Sequence, residues 1–253
     1  MRIFVCNDEF DSILCGVYDA WTSGLGHENV RLVTRTEQEH ETMQMFAEYR
    51  EAEEASWKAE KTAEAIRRKI SQEAYSWIYR ASLSREKDRA DKIFRFLLRG
   101  FQCGSRTVKM LKDPDIYEVF RMNRQVANEA HLLTGFLRFS ELPMGLLAAV
   151  MGPENRVLSL VADHFSERMS GERWLIFDQK RGSAALHEPG HGFVLLPQLP
   201  KQWRDYLSGL KREGQYEELW RIFHSAVSIQ ERKNQACQNS HLPLRFRSYM
   251  TEF

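Results

Sequence analysis

The chain has no Cys-x-x-Cys pair; its four cysteines, Cys6, Cys15, Cys103 and Cys237, are scattered. That spacing argues against an iron–sulfur or zinc site and suits reduced thiols better than a disulfide framework. There is no G-x-G-x-x-G, no P-loop and no serine nucleophile elbow, so nothing marks a dinucleotide or nucleoside-triphosphate enzyme. No apolar run approaches the length needed to span a bilayer. An excess of charge is missing too: 36 Lys+Arg against 35 Asp+Glu leave +1. That argues against coating a polyanion by bulk charge, but a local basic groove remains compatible with it. Residues 1–100 carry 16 Lys+Arg and 18 Asp+Glu, and residues 101–253 carry 20 and 17, so the slight basic excess is C-terminal. Met1 leads straight into a strand-like run followed by acids, a start unlike a signal peptide. The expectation is a soluble, cytoplasmic protein with no membrane partner.

What is present is an ordinary globular composition, 43% apolar and 28% charged. With 253 residues the chain is long enough for one large domain or two small ones. Ile3-Phe4-Val5-Cys6 predicts a first strand. A helix follows, with Phe10, Ile13, Leu14, Val17, Tyr18 and Trp21 at helical spacing, and Asp8 or Asp11 can cap it. Val30 to Val33 reads as a second strand. The acidic segment 37–54 follows, with a strand or helix at Met45 to Tyr49. Ser56 to Ala81 carries one helical pattern, Ser84 to Gly100 a second and residues 104–112 a short third. Asp113-Pro114 opens the helix that ends at Gly135. Strands are expected at Phe136–Leu142, Leu146–Met151, Trp174–Phe177, Ser183–His187 and Phe193–Leu196, with a helix at Val157–Met169. Two helices, near 202–212 and 215–229, precede a basic and aromatic tail, Leu242 to Phe253. Grouped strands beside helices suggest an α+β fold, a mainly antiparallel sheet with flanking helices. It reads as a single domain over 1–253, with a helical subdomain at about 56–134.

The candidate site is the joint at 125–141, where Glu129, His131, Arg138 and Phe139 come together at a helix-to-strand turn. Glu129 and His131 are two residues apart on a helix and face different partners. Phe136 and Arg138 share one strand face, a platform for stacking on a nucleobase. His164 and Arg168 lie one turn apart on the 157–169 helix, where two cations can grip a phosphate or carboxylate; the same helix also reads as a packing element, with Leu158, Val161 and Phe165 inward. His187-Glu188-Pro189-Gly190-His191 matches the letters of H-E-x-x-H. That motif needs a helix, and Pro, Gly and strand-like flanks predict a hairpin instead. No metal is assigned.

Val126-Ala127-Asn128-Glu129-Ala130-His131-Leu132-Leu133-Thr134-Gly135-Phe136-Leu137-Arg138-Phe139 resembles the R-x-V-x-x-E-x-H-x-x-x-G-F-x-R-F core of an uncharacterised bacterial family of proposed DNA metabolism or repair proteins. The resemblance runs nearly full length. It takes in the strand and helix from Ile3 to Trp21, Asp163-His164-Phe165 with Arg168, and Leu219 to His224. Leu242-Pro243 and Glu252-Phe253 complete it. Departures are Phe223-His224, where the family favours an aromatic pair, and Leu242, where it favours Met. The resemblance implies a companion of a radical-SAM protein in DNA modification or repair; some relatives are fused to a uracil-DNA glycosylase-like domain. It implies no established catalytic residues and no cofactor for this chain.

Three functions follow as expectations. The first is an accessory protein that binds DNA or a damaged nucleotide, with Arg138 and Arg168 on phosphate and Phe136 on a base. The second is a hydrolase or lyase acting alone on nucleic acid, with Glu129 or Asp163 as base and His131 or His164 as acid. The third is a protein–protein scaffold in which the same residues only tie the core.

Overall fold

Strand β1 (Arg2–Cys6) is apolar on both faces, with Ile3, Val5, Phe4 and Cys6 all buried, as a strand covered on both sides must be. In the computed structural model, which describes residues 1–38, 45–210 and 214–252, it is the middle of a three-stranded sheet. The chain divides into two compact units, Met1–Asn128 and Glu129–Phe253.

In the N-terminal unit, helix α1 (Phe10–Thr22) carries the chain from β1 back to β2 (Val30–Thr34), which pairs parallel to β1 with Arg2 opposite Val30. Parallel neighbours require such a crossover. Short helix α2 (Arg35–Gln38) follows, and β3 (Glu48–Glu51) pairs parallel on the other edge of β1. Gly16 lets α1 lie close to the sheet: a Cβ there would sit 2.2 Å from Cys6 Sγ. Neither Asp8 nor Asp11 caps α1. Glu9 holds the N-cap without a side-chain bond, while Asp8 accepts from Thr36 and Arg89.

The helical pattern of 56–81 is two helices, α3 (Ser56–Lys69) and α4 (Gln72–Ser82). Ile70 leaves helical geometry, and the Ser71 hydroxyl accepts from the Ala74 N–H at 3.0 Å, an N-cap that starts α4. Helices α5 (Arg89–Cys103) and α6 (Pro114–Phe136) follow. Asp113 accepts from the Asp115 N–H at the start of α6. The core joins Phe4, Leu14 and Leu32 with Ile66, Ile78, Phe94 and Met122. An ion network ties α5 to α6: Arg121 reaches Glu86 at 2.6 Å and Glu118 at 2.7 Å, and Lys92 reaches the same two carboxylates at 2.8 and 2.9 Å.

The unit boundary falls within α6. The C-terminal unit contains β4 (Phe139–Leu142), β5 (Leu146–Met151), α7 (Leu158–Arg168), β6 (Trp174–Asp178), β7 (Ser183–His187) and β8 (Phe193–Leu196). After these come α8 (Lys201–Ser208), α9 (Gln215–Ala226), α10 (Gln235–His241) and α11 (Leu244–Arg247). The five strands lie in chain order. Strands β5 and β6 pair in parallel, and the other three pairings are antiparallel. The fold is therefore mixed α and β with flanking helices, but the expected mainly antiparallel sheet is corrected. One sheet is wholly parallel and the other mixed, because α1 and α7 are crossovers, each returning the chain so that the next strand runs alongside the last. The 187–191 letters form the turn between β7 and β8, with Gly190 and Gly192 at positive φ. No described helix is long and apolar enough to cross a membrane.

Candidate functional site

The joint begins with a shift of boundary. Helix α6 does not stop at Gly135: it continues to Phe136, with the Leu137 N–H still bonded to the Leu133 carbonyl at 2.9 Å. β4 then starts at Phe139 rather than Phe136, so Arg138 sits in the connection between helix and strand. The Gly135 position is open enough that a Cβ would meet nothing, so nothing there forces a stop.

Glu129 is buried on α6, and both its oxygens are engaged. One accepts the Glu154 N–H at 2.9 Å; the other accepts the Asn155 N–H at 2.8 Å and the Asn155 amide at 2.6 Å. Arg245 adds an ion pair at 3.3 Å. A carboxylate offers about four acceptor positions, so little of this one is left over. Its partners belong to the loop after β5, which Arg181 holds from the carbonyl side by donating to Pro153 O at 3.1 Å and Glu154 O at 2.6 Å. Arg181 also pairs at 3.0 Å with Asp178, whose carboxyl burial pushes up against the pull of that guanidinium. Gly152 completes the loop: a Cβ there would lie 2.1 Å from the Tyr249 hydroxyl. The arrangement is a loop clamped on its N–H groups by an acid and on its carbonyls by a base.

Arg138 is likewise occupied. It donates to Glu252 from Nε at 3.3 Å and from a terminal nitrogen at 2.6 Å, and to the Gly135 and Leu137 carbonyls at 2.9 and 3.1 Å. Its guanidinium carbon lies 5.5 Å from the Trp220 ring centroid. Burial pushes the Glu252 carboxyl up, but Arg138 and the Trp220 indole outweigh it and leave the group below the usual carboxylate range. Phe136 is half-buried with its ring centroid 5.6 Å from that of Phe246.

His131, His164 and Arg168 are exposed. His164 touches only the ring of its neighbour Phe165, which packs edge-on against Phe139 at 5.0 Å. Among the described residues Arg168 has no hydrogen-bond or ion-pair partner. Leu158, Val161 and Phe165 do face inward on α7, so that helix packs while its exposed side carries Asp163, His164, Glu167 and Arg168. His187 is buried, stacked on Trp174 with centroids 4.9 Å apart, and its Nδ1 meets the Glu172 carbonyl at 2.8 Å. Thus Glu129 and Arg138 lie on a tied framework, while His131, His164 and Arg168 lie at the surface.

Sequence reading missed Asn155, Arg181, Arg245 and Glu252 as partners in this framework. Each is distant along the chain from the Glu129, Arg138 or loop residue it serves; the basic and aromatic tail marked Arg245 and the Glu-Phe close marked Glu252, but neither signal named a partner.

A tied mixed sheet with helices beside it makes the C-terminal unit a mixed α and β fold. Residues 87–252 match the sequence profile of the family described as Domain of unknown function (DUF4130), and the chain belongs to that family. No curated protein matches the chain.

Proposed function

We propose that this protein is an accessory factor of DNA repair or modification that binds DNA or a damaged nucleotide and works beside a radical-SAM protein. The observation that carries the reading is the contrast between Arg138, in the connection from α6 to β4, and Arg168, on α7. Arg138 is neutralised by Glu252, whereas Arg168, one turn from His164, is an exposed cation without a partner among the described residues. A guanidinium left unpaired at the surface is a phosphate contact in waiting. The family match over 87–252 spans the E-x-H…G-F-x-R-F core, and the DNA reading itself rests on the resemblance in that core.

The test is binding of the purified chain to single-stranded, duplex and uracil-containing DNA over a salt series. Binding should weaken with salt, and Arg168→Ala should weaken it about equally for all sequences. Absence of binding at low salt, together with no association with the radical-SAM partner, would overturn it. The alternative of a hydrolase or lyase asks Glu129 to act as a base while its oxygens hold the 154–155 loop. Turnover by the chain alone, lost in His131→Ala with the fold intact, would favour that alternative.

A further inference from the structure

The N-terminal unit carries a cleft that no part of the reading above uses. It lies between the exposed edge of α1, the middle of α3 and Phe101 near the end of α5, and encloses about 350 Å³. Val17, Tyr18 and Trp21 form its apolar wall, and Lys61 and Lys69 stand on α3 opposite.

Its chemistry is specific in three ways. Trp21 is 44% exposed although it is the largest side chain of α1, and it is steadied edge-on by Phe101 at 5.2 Å and by His27 at 5.1 Å. A flat ring held in place yet open on one side is a stacking surface. Second, Lys61 lies over the Tyr18 ring, Nζ 5.5 Å from the centroid, yet among the described residues it has no acidic partner, and neither has Lys69. Lys58, one turn before Lys61, is the contrast: buried, and paired with Asp19 and Glu53 at 2.7 Å each. Arg67 and Arg68, also exposed on α3, lie outside the cleft, with Arg67 over the Tyr75 ring, so Lys61 and Lys69 are the two cations of α3 that line it. Third, Lys61 and Lys69 are eight residues apart, about 12 Å along a helix axis. That span is too wide for a single phosphate, so the two ammoniums would contact separate phosphates along a strand.

We infer that this cleft binds single-stranded DNA, stacking one base on Trp21 and Tyr18 while Lys61 and Lys69 take the flanking phosphates. The inference deepens the DNA-binding reading and rests on it, but it places the single-strand contact in residues 17–101, chiefly outside the family match, which begins at residue 87.

The experiment follows fluorescence anisotropy of a labelled oligothymidylate on the full-length chain across a salt series, with duplex DNA and thymidine monophosphate as further arms. The variants are the double Lys61→Gln/Lys69→Gln, Trp21→Ala and Arg168→Ala. Both lysines are exposed, so the double variant should melt as the wild type does. It should lower the salt slope for the single strand by about 1.4, two phosphates at about 0.7 each. Trp21→Ala should weaken single-strand binding about tenfold, the loss of one stacked base. Should Trp21→Ala melt early, Trp21→Phe, which keeps an aromatic face, should retain most of the binding. If the double variant binds the oligonucleotide as the wild type does while Arg168→Ala does not, the cleft assignment falls and the DNA reading survives. If the monophosphate competes as well as the oligonucleotide, a strand is the wrong ligand. If the wild type binds no DNA at low salt, the cleft assignment falls, and the accessory-factor reading falls with it once association with the radical-SAM partner is absent too.

Discussion

Around the end of α6, Glu129 and Arg138 find a partner for nearly every polar atom, whereas in the cleft of the N-terminal unit Lys61 and Lys69 find none among the described residues. Both regions looked alike as sequence: charged residues among aromatics on helices. The difference is where the partners come from. Glu129 is served by residues 25 and 26 positions away, on the loop after β5, and Arg138 by Glu252, 114 positions away. Lys61 and Lys69 face α1, whose cleft side offers Val17, Tyr18, Trp21 and Thr22 and no carboxylate. A charge cluster is therefore a framework or a surface according to what the tertiary fold delivers to it, and substitutions separate the two.

The largest effect is expected at Glu129. Glu129→Ala strips two buried backbone N–H groups and the Asn155 amide of their acceptor, and should lower stability by about 3–5 kcal/mol in urea denaturation. A change within the range of surface substitutions would show that the loop needs no clamp. Next comes Arg138→Ala. It leaves Glu252, only 4% exposed at its side chain, without its counter-ion, and should remove about 2–3 kcal/mol, less than a fully buried pair because the guanidinium is partly solvated. Glu252→Gln in the same background should recover part of that loss.

Much of the fold was legible before the structure. Runs of β-branched and aromatic residues marked β1, β2 and the strands from β5 onward, and Asp113-Pro114 marked the start of α6, because those signals are local. Three features were not. The break between α3 and α4 hides in Ser71, a polar residue in a helical pattern until its hydroxyl turns back to cap Ala74. The strand at Glu48–Glu51 carries no apolar alternation; backbone bonds to β1 make it, while Met45 and Phe46, which suggested a strand, are exposed. Part of the acidic segment, residues 39–44, lies outside the described residues. The expected mainly antiparallel sheet fails because alternation shows that a strand exists but not which way it runs; for β2 and β6 the crossover helices α1 and α7 decide that. Of the candidate site, the residue types were legible but their partners were not.

The two units should also differ in their response to acid. In the N-terminal unit, hydrogen bonds from Arg121 and then Lys92 hold the Glu118 carboxyl down at about 2. Glu86 is lowered too, its burial outweighed by the same two cations. A carboxyl whose folded value lies below its unfolded one adds stability above the unfolded value and loses it as pH falls through the folded one. This unit should therefore weaken between about pH 5 and pH 2, and Arg121→Ala should flatten the dependence. The C-terminal unit carries both signs: Glu252 is lowered like Glu118, whereas Asp178 is raised by burial despite Arg181 and contributes with the opposite sign, so the net dependence there should be smaller. Thermal melts over that pH range check both; a wild-type profile that Arg121→Ala leaves unchanged would remove the network from the account. The smallest stability effect belongs to Lys61→Gln/Lys69→Gln, within about 0.5 kcal/mol, as for surface positions that hold no structure together.

The most direct measurement compares Arg138→Ala with Arg168→Ala, each melted and each titrated with DNA over a salt series. The account predicts that Arg138→Ala melts early, while Arg168→Ala melts as the wild type does and binds DNA more weakly with a shallower salt slope. An Arg138→Ala protein that is fully stable but blind to DNA, beside an Arg168→Ala protein that binds normally, would contradict it.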